Sequence, residues 1–172
     1  GRLADYIAQQ WSADSAAALQ HFAAAYYQGV AAEDLLARPL DRLYAVVVEH
    51  WLLGQERRAA TPLIRIYNPE LCAGEAELTT VVDLVVDDVP FLIDSLSMVF
   101  QTFGLRIHQV VHPVLSVSRD AQGRWLQLQG EGHGACEAYM HFEIDRCSDA
   151  EQLASLRGQL LAVLTEVQRA VD

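Results

Sequence analysis

The sequence predicts an α+β fold in two parts: a helical region over residues 1–60, then an antiparallel sheet over 61–172 with helices on one face. Apolar residues recur every three or four positions up to about residue 60, and after Pro62 the period drops to two. The later elements run strand, strand, helix, strand, hairpin strand, strand, helix. Without its first strand this series is βαββα, a ferredoxin-like unit short of its final strand.

In the helical region Leu19, Phe22, Ala23 and Tyr26 share one face, and Leu40, Leu43, Val47 and Trp51 another. Pro39 suits the opening of the second helix and Gly54 its close. Aromatic residues at this spacing are ordinary core, so the region reads as a structural layer. Beyond it, residues 63–67 form a short strand ended by Asn68 and Pro69, and residues 80–86 form another. Residues 87–90 turn the chain into a helix with Leu92, Leu96, Val99, Phe100 and Phe103 on its apolar face. Asp88 is its expected cap and Gly104 its C-terminal stop. Residues 105–118 form a long strand broken at Pro113, 120–123 a hairpin turn, and 125–129 its return. Gly130, Gly132 and Gly134 link to a strand over 138–145. Ser148 and Glu151 have the spacing of a capping box, opening a last helix along Leu153, Leu156, Leu160, Val163, Val167 and Val171.

Composition narrows the chemistry. Of 172 residues 12 are cationic and 23 acidic, a net charge of −11, and every cation is an arginine. Without a lysine, Schiff-base chemistry and phosphate capture by a P-loop lysine are excluded. So anionic a chain repels a phosphate backbone, and its only adjacent basic pair is Arg57 and Arg58, so no nucleic-acid partner is expected. No apolar run approaches the roughly 18 residues of a membrane span, and no signal peptide opens the chain, so a cytoplasmic location is expected, with no membrane partner. Cys72, Cys136 and Cys147 lie far apart and read as reduced thiols. The chain starts at Gly1 and stops at Asp172 within apolar-periodic stretches, as expected of a piece of a longer protein.

Strand alternation places Arg106, His108 and His112 on one face, Tyr139, His141 and Glu143 on the like face of a later strand, and Asp83 on the polar side of its own. Three imidazoles and two carboxylates are donor types for zinc or iron. A metal-dependent enzyme or metal-binding module using the His108, His112 and His141 face is therefore the alternative function. The plainer reading is a polar face that meets solvent or another domain, with no metal. Asp94, Ser95 and His112 lack a nucleophile elbow, and Ser95 falls in the first turns of a helix, so no catalytic residue is assigned. The 130–134 glycines join two strands with no helix following, which argues against a dinucleotide site. An RNA-binding sheet would carry basic and aromatic residues where this face has His, Asp and Glu. At the turn after Asp88 and Pro90, unpaired amides at a helix start suit a small carboxylate.

The turn with Asp88 and Pro90, the apolar helix, the glycine and the βαββα order resemble the ACT domain, a regulatory module that commonly binds amino acids at domain interfaces. More specifically, Arg65 with Tyr67, Asn68 and Pro69, the run from Asp87 to Ser95, His108 with His112 and Pro113, Arg119 and Asp120 with Gly123, and the run from Met140 to Asp145 resemble the N-terminal part of large bacterial NAD-specific glutamate dehydrogenases. Asp34 with Leu35, and His50 with Trp51, extend the likeness into the helical region. The resemblance implies a non-catalytic, ACT-like regulatory and assembly piece. Its parent would deaminate L-glutamate to 2-oxoglutarate with NAD, while this fragment would hold no cofactor. Downstream domains, copies in a homo-oligomer and an amino-acid effector are the implied partners, with Asp88, Val89, Pro90, Phe91 and Leu92 as the effector site. Phe91 stands where many amino-acid-binding ACT domains have glycine, and its bulk is expected to fill that site.

Overall fold

The computed structural model describes residues 1–72, 75, 77–129 and 135–170. Among them the helical region comprises α1 (Arg2–Gln10), α2 (Ala13–Tyr26), α3 (Ala32–Leu36) and α4 (Leu40–Leu53). The remainder is β1 (Leu63–Tyr67), β2 (Thr79–Asp87), α5 (Leu92–Thr102), β3 (Ile107–Val111), β4 (Val114–Arg119), β5 (Trp125–Leu128), β6 (Ala135–Asp145) and α6 (Ala150–Arg169). The anticipated stops have their physical causes. Pro39 is the N-cap of α4 and Gly54 its C-cap. Gly104 takes a left-handed φ of 69° after α5, and the Leu105 amide returns to the Phe100 carbonyl while that of Gly104 returns to Gln101. At α6 the cap is Asp149, whose carboxylate accepts from the Glu151 amide, and the Ser148 box does not form. The 130–134 link and Val171 lie outside the described residues.

All described strand pairs are antiparallel, in the order β1-β2-β6-β4-β5, with β3 beside β6. β3 and β4 are two halves of one broken strand along β6, separated at His112 and Pro113. The order β2, β6, β3/β4 is that of the first three strands of a ferredoxin-like unit. β1 occupies the fourth position, beside β2. The place the sequence reading left vacant is thus taken by a strand it had set aside.

Every residue of β2 except its two ends is buried, because both sheet faces are covered. α5 and α6 lie on one face, where Leu96, Phe100, Leu156 and Leu160 pack on Val82, Leu84, Met140 and Phe142. The N-terminal helices cover the other, with Phe22, Tyr26 and Val47 in one apolar cluster with Val85, Leu115 and Tyr139. The polar face therefore meets the chain's own helical region. A Cβ on Gly54 would lie 2.2 Å from the Tyr139 hydroxyl, so glycine lets the end of α4 approach β6. No helix among the described residues is long and apolar enough to cross a membrane.

Candidate functional site

Between β2 and α5 the Asp88 amide donates to the Cys136 carbonyl, and Phe91 then adopts the left-handed region at φ 68° and ψ 14°. Phe91, as the N-cap of α5, explains why a glycine suits this position: a side chain there is strained. No side chain caps α5, so Asp88 lies exposed and does not perform the capping role its position suggested. Asp88, Val89, Phe91 and Leu92 line a pocket of about 270 Å³, together with Asp94 and His112. Pro90 shapes the turn without lining it. Phe91 does not fill the pocket, as its bulk suggested; it stands at the rim, 76% exposed.

The predicted histidine face does not assemble. A bulge between Ile107 and Gln109 breaks the two-residue alternation on which the shared face depended. His108 stays on the Glu143 side of the sheet but is bonded to Asp145 (2.7 Å), near Glu77 (3.5 Å), and not to His141. His112 is exposed in the α5 pocket, on the opposite side of the sheet. His141 is enclosed beneath the helical layer. Among the described residues no three His, Cys, Asp or Glu side chains are grouped to hold a metal ion.

What does assemble is a buried chain of polar groups across the interface between helices and sheet. β2 and β6 pair Asp83 with His141, and Glu143 follows on the same face of β6. His141 Nδ1 donates to Asp83 Oδ1 at 2.6 Å and Nε2 donates to Glu143 Oε2 at 2.7 Å. Two carboxylate acceptors on one ring require the imidazolium form. Burial opposes that charge, but Asp83 and Glu143 outweigh it and raise the His141 pKa to about 9. Arg38, just before α4, forks onto Glu143 at 2.6 and 2.9 Å. Burial opposes ionisation of Glu143, yet His141 and Arg38 hold its pKa down to about 2. His50, on α4, is different: its Nε2 donates to the Leu84 carbonyl and its Nδ1 accepts from the Tyr26 hydroxyl, each at 2.8 Å. Burial lowers its pKa and keeps it neutral although Asp83 Oδ1 lies 3.6 Å away.

The family model for the glutamate dehydrogenase ACT1 domain matches residues 22–160. The chain belongs to that family. The ACT1 match begins in α2 and ends in α6, so it spans both layers and includes Arg38, His50, Asp83, His141, Glu143 and the 88–92 turn. The NAD-specific glutamate dehydrogenase of Halomonas elongata is 30% identical over 176 aligned residues, which cover 99% of this chain and 11% of that protein. Its counterpart in Pseudomonas aeruginosa is 32% identical, over 87% of this chain and 10% of that protein. For Mycobacterium tuberculosis the identity is 26%, over 73% and 8% respectively. The chain thus spans about a tenth of the length of the curated relatives it matches. No solved structure matches it.

In this ACT1 chain the polar groups at the interface between helices and sheet are enclosed and bonded to one another. A general acid or base must reach a substrate, and both nitrogens of His141 are already bonded to buried carboxylates. Sequence reasoning brought Asp83, His141 and Glu143 together but missed Arg38, His50 and Tyr26. The available signal was His50 itself, a polar residue three positions after Val47 and seven after Leu43 on an otherwise apolar helical stripe.

Proposed function

We propose that this chain is a non-catalytic regulatory and assembly module of an NAD-specific glutamate dehydrogenase. The parent enzyme would convert L-glutamate, NAD and water to 2-oxoglutarate, ammonium, NADH and a proton, and the chemistry would reside in other parts of that longer protein. The observation that carries this reading is the ACT1 match over residues 22–160, in a chain without a lysine and with its polar core closed to substrate. The turn formed by Asp88, Val89, Pro90, Phe91 and Leu92 is the proposed effector site. Its support is the uncapped start of α5 opening on the 270 Å³ pocket, where backbone amides suit a carboxylate and the exposed Asp88 and Asp94 suit an ammonium group. An amino acid offers both groups. Assembly would join the module to other domains of its own chain and to further copies in a cytoplasmic homo-oligomer.

Two measurements test the reading. The chain given NAD and glutamate should form no NADH above a mock preparation; turnover would overturn the non-catalytic assignment. A panel of amino acids should then be assayed on the full-length enzyme and on its Asp88→Ala variant. Because Asp88 caps nothing, an altered effector response cannot be ascribed to a weakened helix. An identical response in the variant would remove Asp88 from the site, and no response to any amino acid would remove the effector role.

A further inference from the structure

The polar chain beneath the helical layer unites four separate segments: Arg38 before α4, His50 in α4, Asp83 in β2, and His141 with Glu143 in β6. Its two carboxylates are not equally secured. Glu143 is held twice, by the Arg38 fork and by His141. Asp83 takes its hydrogen bond from His141 alone, and its Oδ2 is buried with no hydrogen-bond partner among the described residues. If His141 loses a proton, its one remaining N–H serves Asp83 or Glu143 but not both, and the bare ring nitrogen is left lone pair to lone pair against a buried carboxylate.

Nothing else packed around His141 supplies a further donor. From α4, His50 spends its proton on the Leu84 carbonyl and is held neutral by burial. From α2, the Tyr26 hydroxyl donates to His50 and that of Tyr27 to the Leu43 carbonyl. Burial drives the phenols of Tyr26, Tyr27, Tyr67 on β1 and Tyr139 on β6 away from ionising. Arg38 is committed to Glu143, Arg42 to Glu75, Arg119 to Glu137, and Arg65, the register partner of Asp83 on β1, to Glu49 and the Tyr67 ring. On the opposite sheet face, α5 and α6 pack on apolar side chains, and none of the buried charged groups among the described residues lies there.

We propose that Arg38, Glu143, His141 and Asp83 form a latch, closed by the proton on His141, that holds the helical layer of residues 1–60 on the sheet. Loss of the proton to solvent opens that layer while the α5 and α6 face stays packed. Opening then releases one proton, because His141 in the open state titrates as an ordinary imidazole.

The test is amide hydrogen exchange on this chain between pH 5.5 and 9.5, corrected for the intrinsic rate, with the His141 ring followed by NMR. Opening of α2 and α4 should be flat below pH 6.5 and rise about tenfold per pH unit between about 6.5 and 9, the open and closed pKa values of His141. The α5 and α6 amides should exchange only through rarer global unfolding. His141→Gln should abolish the slope. Arg38→Met, which keeps the imidazole and loosens Glu143, should raise opening of α2 and α4 at every pH and retain the slope, which keeps the test decisive if the first variant does not fold. The latch is overturned if His141 titrates near 6.5 in the folded chain, if opening of α2 and α4 does not depend on pH, or if α5 and α6 open with the same free energy and slope.

Discussion

On the face covered by α5 and α6, β2 and β6 present Val82, Leu84, Met140 and Phe142 to an apolar cluster. On the face covered by α2 and α4, the same two strands present Asp83, His141 and Glu143 beside Val85 and Tyr139. Both faces exclude water, but the first buries no charged group among the described residues, so its contribution is indifferent to pH. The second buries charges that must be paired, so its contribution depends on protonation. Comparable burial can therefore confer stability of different character on two sides of one sheet.

The largest expected effect comes from unpairing the polar face. Asp83→Ala leaves the buried imidazolium with Glu143 as its one remaining carboxylate and Nδ1 unpaired, and should cost about 3–5 kcal/mol at pH 6 by urea unfolding. The folded pKa of His141 is raised from 6.5 to about 9, so its stabilisation is complete below pH 6.5 and fades as pH rises through 9. The folded pKa of Glu143 is lowered from 4.5 to about 2, so its share is complete above pH 4.5 and is lost as pH falls through 2. Together they place the best window for this pair between pH 4.5 and 6.5, with on the order of 3 kcal/mol at stake on either side. The cost of Asp83→Ala should accordingly shrink by pH 9.5, and an undiminished cost would break the comparison.

Leu96→Ala on the apolar face should cost about 3 kcal/mol, equally at pH 6 and pH 9.5. A pH-dependent cost there would show that the two faces are not separate in character. Phe91→Gly, outside both interfaces, should stabilise by up to about 1 kcal/mol in thermal unfolding, as relief of left-handed strain exceeds glycine's entropic penalty. A clear loss of stability would mean that the Phe91 side chain contributes packing its exposure does not suggest. Smallest is Asp88→Ala, expected within about 0.5 kcal/mol of the parent, against about 1 kcal/mol for a true cap.

Local chemistry was the most legible part. Pro39 and Gly104 delimit helices by what their backbones can and cannot do, Gly54 ends α4 where a side chain would meet Tyr139, and each stands where the sequence placed it. Neighbouring candidates were harder to separate. Ser148 and Asp149 are both capable caps, and the choice depends on which one has extended backbone as α6 begins. Period-two reasoning grouped Asp83, His141 and Glu143 correctly because β2 and β6 pair without a shift over that stretch. It failed for His112, which lies beyond a bulge that reverses which side the following side chains face, while His108 kept the Glu143 side.

The sequence by itself determined the α+β class, the switch from helices to strands near residue 62, the turn after β2, and the absence of lysine chemistry. These follow from periodicity, backbone stereochemistry and composition, which act over a few residues or over the whole chain. Only the tertiary structure decided that β1 fills the fourth sheet position, that the helical region covers the polar face, and that Arg38 and His50 meet partners 105 and 34 residues away. The physical reason is that a buried charge is tolerated only where an opposite charge arrives, and that arrival depends on how distant segments pack.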